Sequence, residues 1–363
     1  MNNYIITKLK VTDFIHKPKS SFVILCLIII NKIFIVLNNF HIKISFSFKE
    51  KILSIILLLS SDGEFLLSKI SAYSKPIDQS KFKNISPVEI HSMVSDGAVL
   101  FYVTMVKSFQ YFSKIKMNFF VHQVGSLSIE NISFIKNQIP GIKIVTLEES
   151  LKEVKTILKK HQFLLDGRAS KHKNRINLFS TIDIPYLTKS EHLVNIDGDI
   201  IFFKRPDKLC EWLLNKNKRK FVLHMEDHSN CQVLSERKCQ ELFHVSYIEK
   251  FNMGILCYPK KIFDLKSVSF FFKTLWNLDK DNFIGRDQTY FMIHLQKTLQ
   301  KVQALDAKKY QVFGEGQTEA GDYFTVFNKR NKNTICCHYT STVRKYIYKE
   351  AIHVLFKMNN LLS

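Results

Sequence analysis

The chain has 363 residues, of which 46% are hydrophobic, so it is not a disordered polymer and is long enough for one large domain with an appendage. Its formal net charge of +21, from 53 basic and 32 acidic residues, favours anionic partners such as nucleotide phosphates or acidic lipid head groups. Lysine is abundant throughout, but clusters of arginine with aromatic residues are lacking, so we predict no nucleic-acid partner.

The first 85 residues differ from the remainder of the chain. Two apolar runs, residues 22–37 and 52–59, are each shorter or more interrupted than the roughly 18 to 20 apolar residues of a membrane-spanning helix. No small-residue cleavage site follows the first run, which disfavours a signal peptide. Two interpretations remain open: helices packed on the main domain, or a basic, apolar patch that makes peripheral contact with a membrane.

From about residue 85 the pattern becomes that of an α/β domain. Strands are predicted at residues 88–95, 116–124 and 142–147, and helices at 98–112, 129–138 and 151–160. Alternation of this kind predicts a parallel sheet with helices on both faces, and ligands bind such sheets at the carboxyl ends of the strands. The sequence contains no GxGxxG, no GxxxxGK[ST] and no GxSxG motif.

The most informative segment is LVNIDGDIIFFKRP, residues 193–206. In an extended strand, residues i and i+2 point to the same face, so Asp197 and Asp199 are expected to project together. Gly198 between them allows another group to approach the backbone closely. Two adjacent carboxylates repel each other unless a cation lies between them, and Mg²⁺ or Mn²⁺ also binds phosphates. The segment therefore predicts a metal–diphosphate site at the end of a buried strand.

Cysteine usage bears on the compartment. The seven cysteines form no CxxC pair and no even framework, which favours a reducing compartment with buried thiols. We therefore expect a cytoplasmic protein, with the inner face of the membrane as an alternative.

Four segments in order resemble motifs of the GT-A glycosyltransferases. They are IDGDIIFFKRPDKL around the two aspartates, FNMGILCYP (251–259), RDQTYF (286–291) and CHYTSTVRKY (337–346). The resemblance is greatest to the retaining family that includes glycogenin and the bacterial lipo-oligosaccharide galactosyltransferases, glycosyltransferase family 8. Two departures are the small Gly198 between the aspartates and the missing lysine-proline-tryptophan after the late histidine motif.

This resemblance implies a fold and a function. The fold is a GT-A domain over residues 86–350, a mixed, mostly parallel sheet flanked by helices, with a helical N-terminal extension (1–85) and a C-terminal tail (351–363). The function is metal-dependent transfer of a sugar, with retention, from a nucleotide-diphosphate donor such as a UDP-sugar. The expected acceptor is a cell-surface glycan or glycolipid, as in lipopolysaccharide or capsule biosynthesis.

The resemblance also implies roles for individual residues. Asp197, Asp199 and His338 are expected to bind Mn²⁺ or Mg²⁺, which stabilises the charge that develops on the departing diphosphate. Gln288 is expected to stabilise an oxocarbenium-like intermediate, and Asp287 to orient the hydroxyls of the donor sugar.

The remaining expected contacts surround the donor. Asn252 and Gly254 are expected to shape the floor of the pocket, while Glu226 and Asp227 face the acceptor. Asp197 and the basic side chains near the motifs are expected to contact the donor: Arg168, Lys171, Arg175, Arg344 and Lys345.

Two other functional classes stay open at this point. One is an effector-type glycosyltransferase with the same chemistry and a protein acceptor. The other is a GT-A-fold binding protein that does not catalyse, which the intact aspartates and Gln288 disfavour.

Overall fold

The computed structural model describes residues 67–68, 70–72, 74–170, 178–230, 232–278, 286–298, 300–313, 332–340 and 344–358. These residues form a mixed α/β fold around a seven-stranded sheet that is mostly parallel and flanked by helices. A second sheet of three strands lies beside it.

The main sheet has the strand order β3-β2-β1-β4-β7-β6-β8. Every neighbouring pair is parallel except the two that β7 makes with β4 and β6. The second sheet has the order β5-β10-β9. The strands are β1 (Asn84–Val94), β2 (Ile115–Gln123), β3 (Lys143–Val145), β4 (His192–Ile196), β5 (Ile200–Phe202), β6 (Phe221–Glu226), β7 (Phe251–Pro259), β8 (Lys301–Ala304), β9 (Tyr310–Phe313) and β10 (Cys336–Tyr339).

Helices cover both faces of the main sheet. On one face lie α1 (Val99–Ser113), α2 (Ile129–Gln138) and α6 (Asp207–Leu214), with α10 (Arg344–Met358) against α1. The other face carries α3 (Leu147–Ile157), α4 (Gln162–Ala169), α5 (Ile184–Leu187), α7 (Glu236–Phe243), α8 (Leu265–Leu278) and α9 (Arg286–Lys297). Strands alternate their side chains between the two cores, since Val194 packs in the first and Leu193 in the second.

The predicted elements are all present, with clearly different bounds at three of them. The strand predicted at 88–95 begins at Asn84, and the one predicted at 142–147 covers only Lys143–Val145. The third is the helix predicted for residues 151–160. That helix begins at Leu147, because Thr146 and Glu149 form a capping box that satisfies its first amides. Its last residues belong to the turn that leads into α4. The helix at 129–138 is observed at the predicted bounds, with Ser128 as the N-cap.

The described chain upstream of β1 packs on the domain. Leu67 and Ile70 are fully buried, and the Lys107 ammonium of α1 is bound by Ser74 and by the carbonyl of Lys75. Burial lowers the pKa of Lys107 to about 7. The described residues between 67 and 83 therefore belong to the same packed unit as β1. The two apolar runs of the N-terminal extension lie outside the described residues.

Among the described residues, none of the helices combines the length and the apolar character needed to cross a bilayer. Five described cysteines are buried and have no disulfide partner among the described residues: Cys210, Cys239, Cys257, Cys336 and Cys337.

Candidate functional site

The two aspartates lie where the chain passes from one sheet to the other. Asp197 follows β4 of the main sheet, and Ile200 begins β5 of the small sheet, so Asp197-Gly198-Asp199 forms the turn between them. The Asp197 amide donates to the carbonyl of Gly254, 2.9 Å away. The expectation of an extended strand is therefore wrong in its local geometry: the two carboxylates converge because of a turn between strands, not because of strand alternation.

The small sheet places a histidine against these carboxylates. β10 pairs antiparallel with β5, with His338 opposite Ile200, and the Tyr339 amide donates to the Asp199 carbonyl. As a result, His338 Nε2 lies 3.2 Å from Asp199 Oδ1 and 3.4 Å from Asp197 Oδ2. Asp199 and His338 are 139 positions apart in the sequence, yet they form one cluster with Asp197.

The cluster has the donor set of a divalent-cation site. One ligand atom from each of Asp197, Asp199 and His338 lies within 4.8 Å of the others. Burial alone would lower the pKa of His338, but the neighbouring carboxylates, Asp199 first among them, raise it above its ordinary value. Two carboxylate oxygens and an imidazole nitrogen suit Mn²⁺ or Mg²⁺. The chemistry of these residues therefore fits the predicted metal, whose identity stays a prediction.

Gly254 leaves the space in which the His338 ring lies. A Cβ atom at residue 254 would stand 2.4 Å from His338 Nδ1 and 2.8 Å from Cε1, which real contacts do not allow. The glycine sits where the pairing of β6 with β7 is irregular, between the partners Met225–Asn252 and His224–Leu256. Its role in this position is to permit close approach rather than to supply flexibility.

Asn252 is held in place from behind. Its amide nitrogen donates to Asp227 Oδ2 at 2.8 Å, and its carbonyl oxygen accepts from the Gly254 amide at 2.8 Å. Asp227 also accepts from the backbone amide of His228 at 2.8 Å. The Asp227 carboxylate, which was expected to face the acceptor, is buried and serves as a support for Asn252.

Asp287 and Gln288 begin the described part of α9 and face the same cleft. Asp287 Oδ2 accepts from the Ser180 hydroxyl at 2.9 Å, and Oδ1 accepts from the Gln288 amide. Burial raises the pKa of the Asp287 carboxyl, while these hydrogen bonds oppose the shift. The buried Nε2 of Gln288 has no hydrogen-bond partner within the described structure, so it can donate to a ligand in the cleft.

These groups line one open cleft of about 150 Å³ at the carboxyl ends of the parallel strands. Of the predicted site residues, the structure brings six to its wall: Asp197, Asn252, Gly254, Asp287, Gln288 and His338. The buried Asp199 lies directly behind them, against His338.

The structure gives Arg168 a role different from the one predicted. Its guanidinium is 2% exposed, binds Asp183 with Nη2–Oδ2 at 2.6 Å and Nε–Oδ1 at 2.9 Å, and stacks on Phe179 at 3.7 Å. Because its hydrogen bonds are directed at Asp183, Arg168 is not placed to meet a donor phosphate. Lys171 and Arg175, predicted for the same task, lie outside the described residues.

Arg344 and Lys345, predicted to contact the diphosphate, are the first residues of α10. Their side chains are outside the described part, so that contact stays a prediction.

Sequence patterns did not identify several residues of the cleft. Ser180 lies in a π-helical turn, Phe179–Asp183, that no periodicity indicates. Asn195 and His91 face each other across β4 and β1 and also line the cleft. Asn195 precedes Asp197 by two residues, and this spacing is a signal that could have indicated it.

His91, at the wall of the cleft, forms a buried polar pair with His122. Its Nδ1 lies 2.9 Å from Nε2 of His122 on the adjacent strand, and its Nε2 lies 3.4 Å from a carboxylate oxygen of Glu89. Burial lowers the pKa of both imidazoles, which favours neutral rings at this wall.

If a nucleotide sugar binds in this cleft, as the resemblance of the sequence implies, replacing Ser180 with alanine is expected to weaken the binding of a UDP-sugar about tenfold, because the orienting hydrogen bond to Asp287 is lost. The affinity for UDP itself should then not change, since the predicted metal ligands are untouched. Calorimetric titration of the variant with UDP and with UDP-sugars, each with Mn²⁺, measures the difference. An equal loss for both ligands would show that Ser180 has no particular connection with the sugar.

Comparison with known proteins yields likeness only at the level of structure. No family model matches the sequence, and no curated protein sequence matches it. Solved structures that resemble it include mouse xyloside xylosyltransferase 1, at 10% identity and a TM-score of 0.47, covering 71% of this chain and 99% of that one. The bifunctional glycosyltransferase WbbM has 15% identity and a TM-score of 0.48, covering 77% of this chain and 51% of that one. The galactosyltransferase LgtC has 14% identity and a TM-score of 0.44, covering 70% and 87%.

At these identities and scores, the likeness assigns no activity to this chain. The match also covers only about half of the WbbM chain. The function is therefore inferred from the residues of the cleft.

Proposed function

We propose that this protein is a metal-dependent glycosyltransferase that uses a nucleotide-diphosphate sugar, with UDP-sugars as the first candidates. The observation that carries the proposal is the convergence of Asp197, Asp199 and His338 at one wall of the cleft that Asp287 and Gln288 also line. A carboxylate pair with an imidazole suits a cation that holds phosphates. Hydroxyl, amide and carboxyl groups beside it suit a sugar.

The chain's own residues divide into two tasks. A bound Mn²⁺ or Mg²⁺ would supply Lewis-acid stabilisation of the charge on the departing diphosphate. Asp197, Asp199 and His338 would hold that ion and fix its position relative to the cleft.

At the sugar, Asp287 would accept hydrogen bonds from donor hydroxyls, since Ser180 fixes the direction of its carboxylate. The Gln288 amide would lie beside the anomeric carbon and stabilise positive charge through its carbonyl oxygen. Asn252, fixed by Asp227, would form the opposite wall. Retention of configuration is part of the proposal and is supported by the resemblance of the RDQTYF segment to the retaining family.

The acceptor in this proposal is a cell-surface glycan or glycolipid, with a protein acceptor as the alternative. Transfer of radiolabelled sugar into a lipid extract or into protein distinguishes the two.

The proposal is tested by thermal unfolding with UDP and Mn²⁺, with EDTA in a parallel sample. A ligand at about one hundred times its Kd stabilises the folded state by about 2.7 kcal/mol. For a domain of this size, this raises Tm by several degrees. We expect a rise that needs both UDP and the metal and is absent in Asp199→Ala.

The matched control is Glu153→Ala, which removes an exposed carboxylate on α3, far from the cleft, and should keep the full rise. A rise with GDP or CMP instead of UDP would change the donor but keep the class of enzyme. If no nucleotide raises Tm in any metal, the protein is a binding protein without this chemistry, and the proposal is wrong.

A further inference from the structure

A basic surface lies at the edge of the main sheet opposite to the cleft. It is formed by exposed side chains around the amino ends of the parallel strands β1 and β2 and along α6, and we call it the basal surface. Its members are Lys114, Lys116, Arg205, Lys208, Lys216 and Lys218. Two acidic side chains, Asp207 and Glu211, lie among them and are paired with Arg205 and Lys218. The surface keeps a clear excess of positive charge.

Strand pairing and hydrogen bonds bring together the elements that carry these residues. Lys116 of β2 stands beside Ile85 of β1 in the parallel register. The Arg205 guanidinium donates to the Ser113 carbonyl at 3.0 Å, which brings the start of α6 to the end of α1. At the other end of α6, the Ser86 hydroxyl of β1 donates to the carbonyl of Leu213 at 2.9 Å. Helix α6 and the amino ends of the two strands are therefore adjacent.

Two large aliphatic side chains are exposed within the basal surface. Ile85 is 64% exposed and Leu214 is 37% exposed. Leu214 ends α6 two residues before the exposed Lys216, and Ile85 pairs with Lys116 of β2. Isolated exposed aliphatic residues are common on soluble proteins, but each of these two has a lysine close to it. This combination of aliphatic side chains with flanking lysines is suited to the interface of an anionic bilayer.

The basal surface is separate from the cleft. Met93 lines the cleft and Ile85 lies in the basal surface, and both belong to β1. At a rise of about 3.3 Å per residue, the eight steps from Ile85 to Met93 span about 26 Å. A partner on the basal surface would therefore leave the cleft accessible.

We propose that the basal surface docks this protein on a membrane that contains anionic lipids. Nucleic acid fits the surface less well, because only one of its six basic residues is arginine and none of its described side chains is an exposed ring on which a base could stack. The nearby Tyr111 ring is half-buried and lies 4.3 Å from the Lys114 ammonium. The inference does not depend on the proposed function. If both hold, the cleft is at the far end of the sheet from the bilayer, which suits the glycan acceptor better than a glycolipid of the same membrane.

Sedimentation of the full chain with lipid vesicles tests the proposal. Vesicles of phosphatidylcholine with about 30% phosphatidylglycerol should bind the protein, and vesicles of phosphatidylcholine alone should not. Reversing Lys116, Lys208 and Lys216 to glutamate should lower the partition coefficient by about tenfold or more. Raising the salt from about 0.1 M to about 0.5 M should weaken binding of the wild type.

The matched control reverses three exposed lysines on the other side of the molecule, Lys152, Lys159 and Lys238, to glutamate. It changes the net charge equally and should keep binding. If both triple variants lost vesicle binding equally, the protein would be attracted to the vesicles by its net charge alone, and the proposal would be overturned. Full binding by the basal variant would also overturn it, as would a preference for duplex RNA over the anionic vesicles in a competition assay. Ile85→Ser gives an independent measurement and should weaken binding without changing charge.

Discussion

Gly254→Ala is expected to abolish the metal-dependent rise in Tm with UDP, although it adds only one methyl group. The added Cβ would stand 2.4 Å from His338 Nδ1, and 3.0 Å from the Asn252 side-chain oxygen. His338 lies on the central strand of the small sheet and is buried, so its ring cannot retreat without moving that strand. Displacement of the ring removes one of the three proposed metal ligands, and we expect metal affinity to fall by about a hundredfold or more.

Calorimetric titration with Mn²⁺ and with UDP–Mn²⁺ measures the effect, and circular dichroism shows whether the fold is kept. The matched control is Gly198→Ala, which lies between the two aspartates themselves. There the new Cβ would meet the Tyr102 Cβ at 3.5 Å, an ordinary contact, so the metal site should tolerate it. If Gly198→Ala proved as damaging as Gly254→Ala, the steric argument about His338 would be wrong.

The fold class and the central strand could be predicted from the sequence, because both follow from local hydrophobic periodicity. Alternating strands and helices gave the α/β class, and the run of apolar residues before Asp197 located the central strand β4. The metal cluster, by contrast, depends on topology. His338 reaches the aspartates because β10 pairs with β5, and local pattern alone does not show which strands will pair. Only the order of motifs, by resemblance, connected the two segments before the structure was known.

The roles of two residues near the cleft, Arg168 and Ser180, could not be predicted from the type of their side chains. Arg168 was grouped with Lys171 and Arg175 as a possible phosphate contact, because a basic residue near a motif has no distinguishing sequence signal. Burial decides its role, since the guanidinium is paired with Asp183 inside the domain. Ser180 was missed for a related reason. It faces Asp287 because the chain forms a π-helical turn, an irregularity that follows from packing rather than from composition.

Arg168→Met is expected to destabilise the folded protein by about 3 to 5 kcal/mol, the cost of leaving one member of a buried ion pair without its partner. Asp183 is fully buried, and its nearest remaining polar side chain would be the Ser150 hydroxyl. The lost guanidinium also stacks on Phe179, at the other end of the π-helical turn. Chemical denaturation at neutral pH measures the change in the free energy of unfolding.

Two further variants distinguish the stability effect of the buried ion pair from that of an exposed ion pair. Arg237→Met removes an ion pair with Glu241 whose arginine is 86% exposed, and it should cost less than about 1 kcal/mol. The double change of Arg168→Met with Asp183→Leu should recover much of the loss, because no unpaired charge then remains in the core. Failure of the second substitution to recover stability would mean that the pair has a geometric role. Arg168 would then be needed to hold the π-helical turn, and Ser180 with it, against Asp287.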